Sequence, residues 1–207
     1  RWFVDGQRLG QNLTDIRMWT DEEREAGATG SMLVDPEAHP ASPTSNMALG
    51  PPLPSPDGRY VLYGASSSTV PSCMRVVEVE SGRDLADEAV PVMYWPWRVR
   101  WMAGGSAFVY SGGGIVRLHR VGTPSAEDPV LFRDPSPKAR ELAVHCSVDG
   151  STIFVTAFDP DDDTTEIYAH RLGADTESGS ASWSELVTEP RAHYQVVGMR
   201  DERVFVY

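Results

Sequence analysis

One short pattern, a tight turn feeding an apolar run, recurs along the whole chain. It reads SPDGRYVLYG at 55–64, WMAGGSAFVY at 101–110, SVDGSTIFV at 147–155 and MRDERVFVY at 199–207. Gly58, Gly105, Gly150 and Glu202 hold the same place in it, five residues before Tyr63, Tyr110, Val155 and Tyr207. The steps between them are 47, 45 and 52 residues. A repeat of that length is one supersecondary unit, and such units are stable only when neighbours cover one another's apolar faces.

The interior of the repeat is built from strands. After the turn comes RYVLYGA, SAFVYS or STIFVTAF, then SCMRVVEVESG, IVRLHRVG or EIYAHRLG. A more polar segment follows and stops at an acidic residue and a proline: SMLVDP, PVLFRDP, SELVTEP. Proline suits an exposed edge, where a missing N–H is tolerated. The nearly continuous apolar second strands point to coverage on both faces. Short β-branched and aromatic runs between Gly, Pro, Asp and Ser clusters make the chain all-β. A strand-built period of this size predicts a β-propeller of four-stranded antiparallel blades. The stretch TDEEREAGATG at 20–30 carries glycines and no apolar stripe, and reads as an acidic loop.

The blade count gives a single partial propeller over 1–207, of about four blades. It holds an incomplete blade at 1–40, whole blades at 47–90, 93–135 and 141–190, and half a blade at 192–207. A ring does not close from such a set, so the expectation is a part of a larger propeller.

Hydrophobic residues make up 41% and charged residues 23%, the balance of an ordinary folded domain. The net charge of −12, with no basic run to offset it, speaks against nucleic acid as a partner. No apolar run approaches the roughly 20 residues that cross a bilayer, and no membrane partner is expected. Cys73 and Cys146 lie far apart in no metal or redox spacing. They read as free thiols, which fits a reducing, cytoplasmic setting.

Residues with chemical potential are few. A hydrolase serine needs a G-x-S-x-G elbow between a strand and a helix. GASSST at 64–69 and GSASW at 179–183 come nearest, and neither precedes a helix. His119 and His170 take equivalent places in two third strands, which favours a structural role for both. His145, in LAVHCSV, reads as a core or near-core imidazole. In DPDDD at 159–163 the alternate aspartates Asp159, Asp161 and Asp163 suggest a calcium loop, but Thr164 and His170 stand where its Gly and Glu belong. The glycines of YSGGGIV precede neither a helix nor a lysine, so a phosphate cradle is not expected. No metal and no cofactor are predicted, and no catalytic residue.

With the repeats laid out, the chain resembles the N-terminal propeller of the prolyl oligopeptidase family of serine peptidases. RWFVDGQRLGQNLTDIRMWTD is similar to that family's opening, an aromatic strand, a Gln-Asn turn and a second strand. SPDGRYVLYGAS, LHRVGT with DPVLFRDP, and HYQVVGMRDERVFVY resemble later segments, in order and over nearly the whole chain. The resemblance implies a seven-bladed propeller in the parent protein, set as a lid on an α/β-hydrolase domain that carries the catalytic residues. The lid would admit short peptides to an enclosed cavity. In the family, the stretch matching TAFDPDDDTTEIYAH carries a substrate-binding Arg and, three residues on, a Cys. Phe158 and Asp161 stand at those places here, so these two are the candidate substrate-cavity residues. Phe cannot make the charge-assisted bond of Arg, which points away from standard post-proline specificity. Two readings stay open: the gating part of a short-peptide serine peptidase, or a non-catalytic binding propeller, including an inactive relative of the family.

Overall fold

The structure is a computed structural model that describes residues 2–7, 14–39, 47–85, 89–92, 94–173, 182–187, 192–200 and 203–207. The Gln11–Asn12 turn, Glu202 and part of the GSASW stretch lie outside these residues. The chain divides into two compact units, Arg1–Pro96 with Gly122–Ser125, and Trp97–Val121 with Ala126–Tyr207.

In the first unit, β1 (Trp2–Gln7), β2 (Thr14–Trp19) and β3 (Ser31–Val34) form an antiparallel sheet in that order. The segment after β2, expected to be an acidic loop, instead forms a short helix, α1 (Asp21–Glu25). Its cause is a capping box: the Glu23 amide donates to Thr20 Oγ1, and the Thr20 amide donates to the Glu23 carboxylate at 2.8 Å. Three acidic residues in the first turn also face the positive end of the helix dipole. The helix buries no residue, so its local chemistry alone accounts for it.

The second sheet of this unit is irregular. β4 (Ala48–Leu49) and β5 (Leu53–Pro54) both pair with β6 (Tyr60–Ser66), which pairs on its other side with β7 (Cys73–Glu78). Gly50, Pro51 and Pro52 break the first strand in two, since proline offers no donor to the ladder. Beyond β7, pairing among the described residues is reduced to two isolated bridges, Met74 with Val90 and Val77 with Asp84. The two sheets share a core in which Ile16 and Val34 pack with Val61, Tyr63, Ala65 and Val77.

The second unit contains two regular four-stranded sheets. β8 (Val99–Trp101), β9 (Ala107–Gly112), β10 (Ile115–Arg120) and β11 (Val130–Arg133) pair in sequence order. So do β12 (Glu141–Cys146), β13 (Thr152–Asp159), β14 (Thr164–Arg171) and β15 (Ser184–Val187). A two-stranded sheet of β16 (Val196–Arg200) and β17 (Arg203–Val206) follows. The second strand of the middle sheet, β13, is buried at every position except Phe158. Its odd-numbered side chains, Ile153, Val155 and Ala157, pack with Val109, Val116 and Leu118 of the sheet before. On the other face Phe154 joins Ile167 and Val196, with Met199 and Val204 of the sheet after. Coverage on both faces is why this strand lacks polar alternation.

The repeated turn is the same object three times. The amides of Gly58, Gly105 and Gly150 donate to the carbonyls of Ser55, Met102 and Ser147 at 2.9, 3.0 and 2.9 Å. Their φ angles are +71°, +70° and +68°, a region that glycine occupies without the penalty of a Cβ. Where the turn reads S-x-D-G, the serine fixes it further. Ser55 Oγ donates to Asp57 at 2.7 Å and accepts from the Tyr60 amide at 3.0 Å. Ser147 repeats this with Asp149 and Thr152 at 2.6 and 2.9 Å. The Ser147 hydroxyl, with help from Ser151, holds the Asp149 carboxyl down to about 2.

Candidate functional site

A strand hydrogen-bonded on both sides aligns side chains in rows across its sheet, and alternate rows face opposite ways. In the β12–β13–β14 sheet one row is Glu141, Phe158 and Thr165, and the next on the same face is Ala143, Thr156 and Ile167. Deeper along the sheet, Phe154 and Ile167 of this face are covered by Val196 and its neighbours. Towards the β13–β14 turn the face opens into a cavity of about 440 Å³. Trp97 and Arg100, ahead of and within β8, and His193 to Gln195, ahead of β16, complete the wall. The cavity thus gathers around the first strands of three consecutive sheets, all within the second unit.

The Phe158 ring stacks on the His193 imidazole, centroids 4.7 Å apart and planes 27° from parallel. His145 lies on this open face rather than in the core, because Leu142 and Val144 take the core-facing positions of β12. Burial, reinforced by the nearby Arg100 cation, pushes its imidazole down to about 4, so it is uncharged at neutral pH. Arg100 Nη1 donates to the Val99 carbonyl at 2.7 Å.

Thr165, opposite Phe158, is 1% exposed. Its hydroxyl is the buried side-chain polar atom with no hydrogen-bond partner among the described residues. One row deeper, Thr156 Oγ1 reaches the Ala143 carbonyl at 3.5 Å. A buried hydroxyl left without a partner costs about 1–3 kcal/mol.

Of the two candidates from the sequence, Phe158 lines the cavity. Asp161 stands exposed in the β13–β14 turn, outside the lining, its amide donating to Asp159 at 3.0 Å. The same turn is tied down by Lys138, whose ammonium reaches Asp159 and Asp162 at 2.6 and 2.5 Å. That contact holds the Asp159 carboxyl below its ordinary range. Among the described residues no three His, Cys, Asp or Glu side chains are placed to hold a metal ion.

The remaining histidines serve the scaffold. His119 and His170 pair with Phe108 and Ile153, equivalent positions three residues past the turn glycines. His119 Nδ1 donates to Asp128 at 3.0 Å, and His170 Nδ1 lies 2.8 Å from the Ser182 carbonyl. Each ties the third strand to the chain two residues before the fourth.

Comparison with known proteins decides the family. The model of the prolyl oligopeptidase N-terminal β-propeller domain matches residues 5–207.

The chain belongs to the prolyl oligopeptidase family.

It is this family's propeller domain, and the all-β, four-stranded antiparallel sheets are its blades. Prolyl oligopeptidase B from Galerina marginata, bound to a 35mer hydrolysis and macrocyclization substrate, superposes with a TM-score of 0.74 at 18% identity. The alignment covers 99% of this chain and 32% of that one. Oligopeptidase B from Leishmania major gives 0.61 at 13% identity, over 90% of this chain and 26% of that one. TolB from Acinetobacter baumannii gives 0.54 at 11% identity, over 90% and 41%. The chain therefore spans about a third of the prolyl oligopeptidase it superposes on. No curated protein sequence matches it.

Sequence reasoning reached Phe158 and missed Thr165, His193, Arg100 and Glu141. Thr165 and Glu141 were within reach, since pairing β12, β13 and β14 around their turns puts both beside Phe158. His193 carries no local signal: its place depends on where the segment before β16 lies.

Proposed function

We propose that this propeller gates a serine oligopeptidase. In this reading the chain carries no catalytic triad. Acyl transfer proceeds on an α/β-hydrolase domain of the parent protein, and the propeller limits access to short peptides while excluding bulk water. The observation that carries the reading is the family match over 5–207 together with a concave, mostly apolar cavity beside the first strands of successive sheets.

Phe158 lines that cavity, Asp161 stands exposed in the neighbouring β13–β14 turn, and both are proposed to meet substrate. Phe158 offers a ring face where the family places a guanidinium, so backbone or carboxylate anchoring by charge is replaced by stacking. The proposed specificity is accordingly not the standard post-proline one. Both cysteines are free, which suits the cytoplasm proposed as its compartment.

The test uses the full-length protein that contains this chain, with internally quenched short peptides and a serine-directed fluorophosphonate. The proposal expects cleavage that the reagent abolishes. A protein that neither reacts with the reagent nor cleaves any peptide would favour the non-catalytic propeller instead.

A further inference from the structure

We infer that Lys138 is a positioning residue: by clasping the acidic β13–β14 turn it holds Phe158 in its stack on His193. The inference rests on the gating role proposed above for this propeller, but its first readout is the order of the turn itself.

Lys138 is the chain's only lysine. Its ammonium reaches Asp159 at 2.6 Å and Asp162 at 2.5 Å, 21 and 24 residues further along. The base of the clasp is itself fixed. The Lys138 amide donates to Ser136 Oγ at 3.2 Å, and the Ser136 amide donates to Asp134 at 3.1 Å. Asp134 is in turn buried in its ion pair with Arg140. The cation thus stands on a braced segment and grips the turn from outside it.

The turn needs that grip. Asp159, Asp161, Asp162 and Asp163 crowd four carboxylates into five positions, and like charges so close repel. Asp163 also sits at a φ of +53°, the only non-glycine residue at positive φ among the described residues. A side chain there carries a penalty that glycine escapes. One ammonium shared by Asp159 and Asp162 offsets the repulsion.

Magnitude separates positioning from bulk stability. The Lys138 side chain is 47% exposed, and an exposed ion pair adds little to global stability. Its effect is local. Phe158 and Asp159 together end β13, paired with Thr165 and Thr164. Release of Asp159 frays that strand end, and the Phe158 ring loses the fixed backbone that sets its 4.7 Å stack on His193.

The experiment compares the full-length protein with its Lys138→Met and Lys138→Arg variants by amide hydrogen exchange, thermal unfolding and hydrolysis of a short quenched peptide. Lys138→Met should leave the Tm within about 3 °C of native. It should speed exchange in segments 156–166 and 192–196 about ten-fold. It should raise KM about three- to ten-fold with kcat nearly unchanged. Lys138→Arg keeps a cation able to bridge two carboxylates, and should restore native exchange and KM. Salt raised to about 1 M should raise KM for the native protein more than for Lys138→Met. Unchanged exchange in Lys138→Met would overturn the inference, as would faster exchange with KM and its salt dependence unaltered. A full-length protein that hydrolyses no peptide overturns the peptidase reading alone. Exchange in the two segments then upholds or overturns the clasp by itself.

Discussion

Asp128 accepts a hydrogen bond from the Tyr110 hydroxyl at 2.9 Å, and both side chains are buried. Tyr63 donates in the same way to Asp84. The two tyrosines are equivalent: each follows its turn glycine by five residues, and each pairs across the sheet with an arginine, Arg117 or Arg75. The repeat therefore extends to its buried polar contacts. Tyr110→Phe is expected to cost about 1–3 kcal/mol, because it deprives a buried carboxylate of a donor. Asp128→Ala should cost more, since His119 and Tyr110 both lose their acceptor. Urea unfolding of the two variants checks the order.

The turn glycines separate two sources of strain. A Cβ on Gly58 would meet nothing within 4 Å, whereas one on Gly150 would stand 2.5 Å from Ala103 Cβ. Gly58→Ala should therefore cost only the left-handed backbone penalty, about 1–2 kcal/mol. Gly150→Ala should cost clearly more, and Gly150→Ala combined with Ala103→Gly should recover the difference. Equal losses for the two single variants would refute the contact.

Acid should weaken the fold through His145. The unfolded imidazole takes its proton near its ordinary value of 6.5, but the folded one only near about 4, because of burial and Arg100. Between those values the unfolded chain binds the extra proton, so stability falls as pH drops from 6.5 towards 4 and this contribution levels off below. The loss is on the order of 3 kcal/mol. His145→Gln should flatten that segment of the stability profile, and an unchanged slope would remove His145 as its cause.

Arg140 provides a test of charge burial. Its guanidinium is paired with Asp134 and lies 2.7 Å from Glu166, with 5% of its side chain exposed. Arg140→Ala leaves the buried Asp134 carboxylate uncompensated and should cost about 3–5 kcal/mol. Arg140→Lys should rescue only part, because a point charge cannot reproduce the forked contact to two carboxylates.

How far the sequence spoke depends on the range of the interaction concerned. The turns were legible because each needs one residue at positive φ, a local demand that leaves glycine at a fixed spacing. Buried strands such as β13 were legible from their missing alternation. The helix α1 forms against its nearby glycines and its absent apolar stripe because the capping box of Thr20 with Glu23 satisfies its first amides locally. The split of the first strand into β4 and β5 was signalled only by Pro51 and Pro52. The cavity was least legible. Phe158 was reached through family resemblance, but its stacking on His193 joins positions 35 residues apart in sequence, and no pattern in the chain encodes that meeting.

The account stands most directly on how hydrolysis depends on substrate size. One cleavable sequence, extended stepwise by flanking residues, should be offered to the full-length protein and kcat/KM measured at each length. A gating propeller predicts high values for short peptides and a steep fall as the ends outgrow the enclosed space. A kcat/KM that stays flat from short peptides to an unfolded protein of the same cleavage sequence would contradict it.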